Sequence, residues 1–113
     1  VHACAKINLT LRVLGIRHDG YHELRTTFQS LALRDTLTFT HGDSGFAIDT
    51  NDPECPTGPP NLVWKAAQAL WQAIGRRGEV SGVHVRLHKR VPAQAGLGGG
   101  SSDAAATLRG LCE

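Results

Sequence analysis

Methionine is absent from the 113 residues, and the first residue is Val1. Val1 is therefore not expected to be a translational start, and the chain is expected to be a piece of something longer. Long apolar runs are missing as well. None approaches the ~20 residues that a membrane-spanning helix requires, and no signal-peptide pattern opens the chain. Charge of either sign is sparse: 12 Lys and Arg against 10 Asp and Glu leave a net charge of +2. The basic residues fall in scattered pairs (Arg76-Arg77, Lys89-Arg90), which argues against a nucleic-acid partner but leaves a phosphate ligand open. Cys4, Cys55 and Cys112 are odd in number and form no Cys-x-x-Cys. That fits reduced, structural thiols in a cytoplasmic protein better than a disulfide framework or a zinc site. With 41% hydrophobic and 19% charged residues, a disordered tail is excluded too. Length by itself suggests one domain with a modest core.

What is present reads as α+β. Ala5 to Val13 alternates, with Ile7, Leu9, Leu11 and Val13 on one face and Lys6, Asn8, Thr10 and Arg12 on the other, the pattern of a half-buried strand. Asp19-Gly20 is a turn signal. A second strand is expected from Tyr21 to Leu33, a turn at Arg34-Asp35, a strand over Thr36 to Thr40, and a short one over Phe46 to Ile48 completing an antiparallel group. The proline-rich stretch Asn51 to Pro60 is a loop, and Asn61 is placed to cap a following helix. In that helix Leu62, Ala66, Ala69, Leu70 and Ala73 recur at helical spacing. Trp64 and Trp71 share one side, suited to covering a sheet. Val83 to Lys89 is a further strand, with Val83, Val85 and Leu87 inward. His84 and His88 are roughly 13 Å apart along it, too far for one metal ion.

The strongest chemical signal is Pro92-Ala93-Gln94-Ala95-Gly96-Leu97-Gly98-Gly99-Gly100-Ser101-Ser102, which leaves a strand and opens a helix near Ser101 or Ser102. Glycines so concentrated imply unusual dihedrals or a close-approaching ligand. Backbone N–H groups at a strand-to-helix junction, with the helix dipole behind them, suit an anion. Without a ligand the same stretch would be a flexible connection. No lysine lies between Gly96 and Ser102, so it is not a Walker A loop, and the Gly-x-Gly-x-x-Gly dinucleotide pattern is not met. Lys6 and Asn8, two apart on a strand, share a face. On an open surface they would be two solvated side chains, whereas in a cleft the lysine would sit as a cation beside a transferring phosphoryl group. Asp19-Gly20-Tyr21-His22-Glu23 offers a ring and an imidazole suited to a nucleobase, or simply a hairpin turn. The aspartates Asp19, Asp35, Asp43, Asp49, Asp52 and Asp103 show no pairing that marks a general base.

Together Ala5-Lys6-Ile7-Asn8-Leu9, Asp19-Gly20-Tyr21-His22-Glu23-Leu24 and Pro92 to Ser102 followed by Asp103-Ala104-Ala105 resemble the GHMP kinase superfamily. Within it they resemble the 4-diphosphocytidyl-2-C-methyl-D-erythritol kinases of the non-mevalonate isoprenoid pathway. The resemblance implies a GHMP kinase N-terminal domain over residues 1–113, incomplete and without its C-terminal domain. It implies a ribosomal-protein-domain-2-like βαβ core, with a mainly antiparallel sheet packed against helices. The implied reaction moves a phosphoryl group from ATP to the 2-hydroxyl of a cytidine-diphosphate sugar alcohol. By the same likeness Lys6 is catalytic, and Asn8, Tyr21 and His22 bind substrate. Pro92, Ala93, Gln94, Ala95, Gly96, Leu97, Gly98, Gly99, Gly100, Ser101 and Ser102 hold the ATP phosphates, with Ser101 or Ser102 near Mg²⁺. Asn61 and Lys89 lie near the adenosine. The catalytic aspartate of the family belongs to a later Gly-x-Asp segment that these residues do not include, so the chain alone is expected to be inactive. Departures are Ala93, Gln94 and Ala95, where the family often has glycines, and Asp103, where asparagine is common. Another GHMP kinase, such as homoserine kinase, and a nonenzymatic phosphate- or RNA-binding module are the alternatives. Oligomeric state is not legible.

Overall fold

The alternating stretches become four strands and the two helical patterns become two helices. The computed structural model describes residues 1–113. In order these are β1 (His2–Ile16), β2 (His22–His41), β3 (Phe46–Thr50), α1 (Leu62–Ala73), β4 (Val83–His88) and α2 (Gly99–Cys112). The strands form one sheet in the order β1-β2-β4-β3. β1 with β2 and β2 with β4 are antiparallel. β3 runs parallel to β4, so β3-α1-β4 is a βαβ unit. The expected α+β architecture, with a mainly antiparallel sheet against helices, is therefore present. Two local expectations are corrected. β3 does not complete an antiparallel group. Arg34-Asp35 is not a turn either, because β2 runs unbroken through both. Asp35 pairs with Ala3 and is fully buried. Its polarity marks an internal anchor, described below, rather than a chain reversal.

The sheet is covered at one end only. Leu37, Val85 and Leu87 of the strands meet Val63 and Ala67 of α1 and Ala106 of α2 in one core. Asn61 caps α1 as expected, its Oδ1 accepting from Val63 N–H at 2.8 Å. The buried stripe of α1 is rotated from the expected one. Val63 and Ala67 are buried, whereas Leu62, Ala69 and Ala73 are exposed. The cause is the pair of tryptophans. Trp64 packs edge-on to Phe46 with ring centroids 5.2 Å apart, and Trp71 packs against the core, so the helix turns that side to the sheet. All three cysteines are free. No helix is long and apolar enough to cross a membrane.

The β1–β2 hairpin extends beyond both helices, and its apolar residues are not half-buried as expected. Leu9, Leu11 and Val13 are each close to 60% exposed. The ladder also slips between Asn8 and Thr10, where β1 spends one extra residue. An extra residue moves every later side chain to the other face. Leu11 therefore lies opposite Thr26 and Val13 opposite Leu24, on the β2 face that carries Phe28 opposite Asn8. Lys6 and Asn8 share a face with the apolar residues past the bulge, instead of opposing them.

α2 closes the core by sliding past β2. A Cβ built on Gly110 would lie 2.7 Å from Cδ2 of Phe39 and closer still to its Cε2. The glycine is there because the ring occupies that space. Gly110→Val is expected to lower unfolding free energy by about 1–3 kcal/mol, the usual cost of overpacking. Urea unfolding of the variant beside the unaltered protein measures this, and equal midpoints would contradict it.

Candidate functional site

The glycine-rich loop lines a cleft of about 530 Å³ between the start of α2 and the start of α1. Pro92 through Ser101 all line it, with Asn61 and Lys89. Ser102 does not; its N–H is turned into the helix, bonded to Gly98 O at 2.9 Å. Lys6, Asn8, Tyr21 and His22 are not lining residues either. The loop's glycines divide their work. Gly98 is the N-cap of α2 in the left-handed conformation, with φ +71°. α2 thus starts at Gly99, two or three residues before the expected Ser101 or Ser102. Gly99 and Gly100 serve packing: an added Cβ would sit 2.9 Å from Val91 Cγ1 and 3.2 Å from Leu62 Cδ1 respectively. The first turn of α2 is consequently drawn against both β4's extension and α1.

The two helix starts differ in a way that bears on chemistry. α1 has Asn61 as a side-chain cap. α2 has no side-chain cap and no acidic residue in its first turn. The leading N–H groups of a helix have no intrahelical acceptor. On α2 they face the loop with the positive end of the dipole behind them. The cleft walls carry Asp52, Glu54 and Asp103 against one lysine, Lys89. An anion bound here would depend on backbone N–H groups and an accompanying cation more than on basic side chains.

Lys6 meets the loop from the side. Its N–H donates to Leu97 O at 2.9 Å. Its stem lies where a side chain on Gly98 would be, 3.1 Å from a built Cβ. The ammonium donates to Asn8 Oδ1 at 2.7 Å and stands 5.4 Å from the Phe28 ring centroid. Asn8 Nδ2 in turn donates to Thr26 Oγ1 at 2.8 Å. Lys6 and Asn8 are thus a bonded pair beside the loop. Tyr21 and His22 sit at the far end of the hairpin, about ten positions further along β1 by pairing. Tyr21 is 73% exposed, its N–H held by Asp19 Oδ1 at 3.1 Å. The chain does not bring this turn to the cleft. Asn61 and Lys89 reach the cleft wall with their polar groups engaged, Asn61 by Val63 N–H and Pro56 O.

Sequence reasoning missed the partners of Lys89. Its ammonium donates to Asp35 Oδ2 at 2.6 Å and to Asp103 Oδ2 at 2.8 Å. Asp35 Oδ1 also accepts from the N–H groups of Arg90 and Val91, at 2.5 and 2.8 Å. Burial pushes the Asp35 carboxyl up, but Lys89 and the two backbone donors outweigh it and hold it below its ordinary value. For Asp103 burial prevails over Lys89, with Asp35 adding repulsion, and its pKa is raised to about 6. Burial opposes the charge on Lys89, yet its hydrogen bonds to Asp103 and Asp35 keep its pKa above the ordinary lysine value. Asp103 Oδ1 is the one buried side-chain oxygen or nitrogen without a partner. The three residues are 54 and 14 positions apart in pairs, so no local spacing could have marked them.

Residues 61–113 match the family described as the GHMP kinases N terminal domain. Over 109 residues the chain is 50% identical to the 4-diphosphocytidyl-2-C-methyl-D-erythritol kinase of Moorella thermoacetica, covering 96% of this chain and 37% of that protein. With the enzyme of the same name from Chlorobaculum parvum it shares 48% identity over 112 residues, 99% of this chain and 38% of that one. A crystal structure of a 4-(cytidine 5'-diphospho)-2C-methyl-D-erythritol kinase superposes with a TM-score of 0.78 at 44% identity, over 98% of this chain and 38% of that chain. The chain spans a little over a third of the length of these relatives. The chain thus has the fold of the N-terminal part of a GHMP kinase, with residues 61–113 matching that family's N-terminal domain, and in sequence it is similar to the N-terminal part of 4-diphosphocytidyl-2-C-methyl-D-erythritol kinases.

Proposed function

We propose that this chain supplies the nucleotide loop and the catalytic lysine of a cytoplasmic ATP-dependent kinase. Its substrate is 4-diphosphocytidyl-2-C-methyl-D-erythritol, phosphorylated on the 2-hydroxyl as a step of isoprenoid synthesis. Residues 1–113 act as part of the N-terminal, ATP-binding domain, and a later segment of the whole protein supplies the general base. The observation that carries this reading is the uncapped start of α2, opening onto a glycine loop with the Lys6 stem packed against Gly98. The names of the relatives favour this substrate over homoserine.

ATP fits the residues present. A cleft of about 530 Å³ is of ordinary size for a nucleotide-scale ligand. The N–H groups that open α2 are the donors for phosphate oxygens, and the carboxylates on the walls call for Mg²⁺ as the accompanying cation. Ser101, on the cleft side of the first turn, and Ser102 behind it are the hydroxyls offered to that ion. When bound, ATP supplies the phosphoryl group. The residues of this chain orient the phosphates and place a fixed positive charge beside the acceptor oxygen. Lys6 is held for that task by its backbone bond to Leu97 and its side-chain bond to Asn8. Asn8 and the apolar strip past the bulge flank the acceptor. Tyr21 and His22 take the cytosine, which requires the hairpin turn to face the rest of the substrate-binding surface in the whole protein.

Lys6→Ala in the full-length enzyme is expected to lower turnover by about 10²–10³-fold, the scale of losing one charge-stabilising donor. Affinity for ATP should change much less, because the phosphates rest on backbone donors. Steady-state kinetics on both substrates test this, and equal losses in turnover and ATP affinity would count against the role. Gly98→Ala is expected to cost about 1–2 kcal/mol of stability from its left-handed backbone. It should also lower turnover by pushing the Lys6 stem aside. Unfolding and rate measurements on one preparation check both effects.

A further inference from the structure

The segment from Lys89 to Asp103 contains the whole candidate phosphate loop. Its first end is fixed to a single buried carboxylate on another strand, and its far end is tied to that carboxylate's partner, the Lys89 ammonium. Asp35, fully buried in the middle of β2, has no spare acceptor pointing at the cleft. Its Oδ1 takes the N–H groups of Arg90 and Val91, where the chain leaves β4 and turns into the loop. Its Oδ2 takes the Lys89 ammonium, and that ammonium crosses the loop to Asp103 Oδ2 on α2. The backbone of Lys89 is held as well, its N–H donating to Asn51 Oδ1 at 2.6 Å and its carbonyl accepting from Asn51 Nδ2 at 3.1 Å. Lys89 is therefore not a free phosphate-binding cation; its side chain is 10% exposed and shared between two carboxylates.

We propose that Asp35 is a positioning residue for the phosphate loop, setting the separation between the loop's first residues and the start of α2 through Lys89 and the Arg90 and Val91 amides. The inference rests on the reading of this loop as the ATP site. Buried ion triads add little net stability compared with apolar packing, because desolvation offsets the Coulomb attraction. What such a triad does supply is geometry: each partner tolerates few other positions without leaving a charge unpaired. Here the fixed geometry is that of the backbone N–H groups around the cleft. Misplacing such donors by an ångström is enough to cost tenfold or more in binding or rate.

The test uses the full-length protein and the Asp35→Asn variant, which keeps the shape and one carbonyl acceptor but loses the charge that holds Lys89. Expected are an increase of about tenfold in KM for ATP, a matching loss of affinity for a nonhydrolysable ATP analogue by calorimetry, and an unchanged KM for the acceptor. A residue that only stabilised the fold would lower the active fraction and so kcat, with both KM values unmoved, and that result would overturn the proposal. Asp35→Glu, which restores the charge on a longer arm, should recover part of the ATP affinity. Amide exchange in the unaltered protein gives a second reading that needs no variant to fold. The Arg90 and Val91 N–H groups should be protected before nucleotide is added, and exchange at unprotected rates would overturn the proposal. An unaltered protein that binds the analogue but does not phosphorylate the acceptor would remove the substrate assignment and leave the Asp35 result to stand on affinity. One that does not bind the analogue would remove both.

Discussion

One ammonium group, on Lys89, holds this structure in register. It sits between Asp35 on β2 and Asp103 on α2, and it is mostly removed from water. Placing a charge there is costly unless every neighbour is matched to it. The match is good on one side and incomplete on the other. Asp35 uses both oxygens, while Asp103 leaves Oδ1 without a partner and has its pKa raised to about 6 by burial. The signs of the two shifts oppose each other in their effect on stability. Asp35, held below its ordinary value, stabilises the fold above the unfolded carboxylate pKa, and that contribution fades as pH falls through its folded value. Asp103 binds its proton more tightly when folded, so its contribution is full below the unfolded pKa and is lost as pH rises through about 6. The triad is thus well suited to fixing distances and poorly suited to adding stability.

The rest of the site follows from where that ammonium places α2. Because α2 begins at Gly99 with no side-chain cap, its first N–H groups remain available, in contrast to α1, whose start is closed by Asn61. Gly99 and Gly100 allow Val91 and Leu62 to approach. Gly98 turns the chain and leaves room for the Lys6 stem. A glycine run that looks like a flexible connection in isolation is, in place, a tightly packed corner with its donors turned outward.

How much of this was legible depends on how local each signal is. The glycine loop, the Asn61 cap and the Val85-Leu87 strand face are all written within a few neighbouring residues, and all are present. The α+β class followed from the order of such segments, whereas that order alone put β3 in an antiparallel group and the βαβ core came only with the family resemblance. The bulge after Asn8 was not legible, because alternation on one strand says nothing about an extra residue relative to its partner, and that residue reversed the faces assigned to Leu11 and Val13. Arg34-Asp35 resembled a turn because buried carboxylates are uncommon and turns are frequent. The distant amides of Arg90 and Val91, with the Lys89 ammonium, explain it. The partners of Lys89 were illegible for the same reason. The stripe on α1 failed differently: its alanines follow the helical period, but two tryptophans decided which side met the sheet.

β1 lies at one edge of the sheet, and the bond from Lys6 N–H to Leu97 O is the single backbone hydrogen bond it makes outside its ladder with β2. The loop is in this sense a one-residue substitute for a missing neighbouring strand. From Asn8 to Ile16 the edge has no such substitute, and it carries Leu9, Leu11 and Val13 largely uncovered. Long, apolar edges of this kind accept strands from other molecules unless something blunts them. This edge is the part of the sheet left open to a further strand, and whatever pairs with it also bears on the strand that carries Lys6.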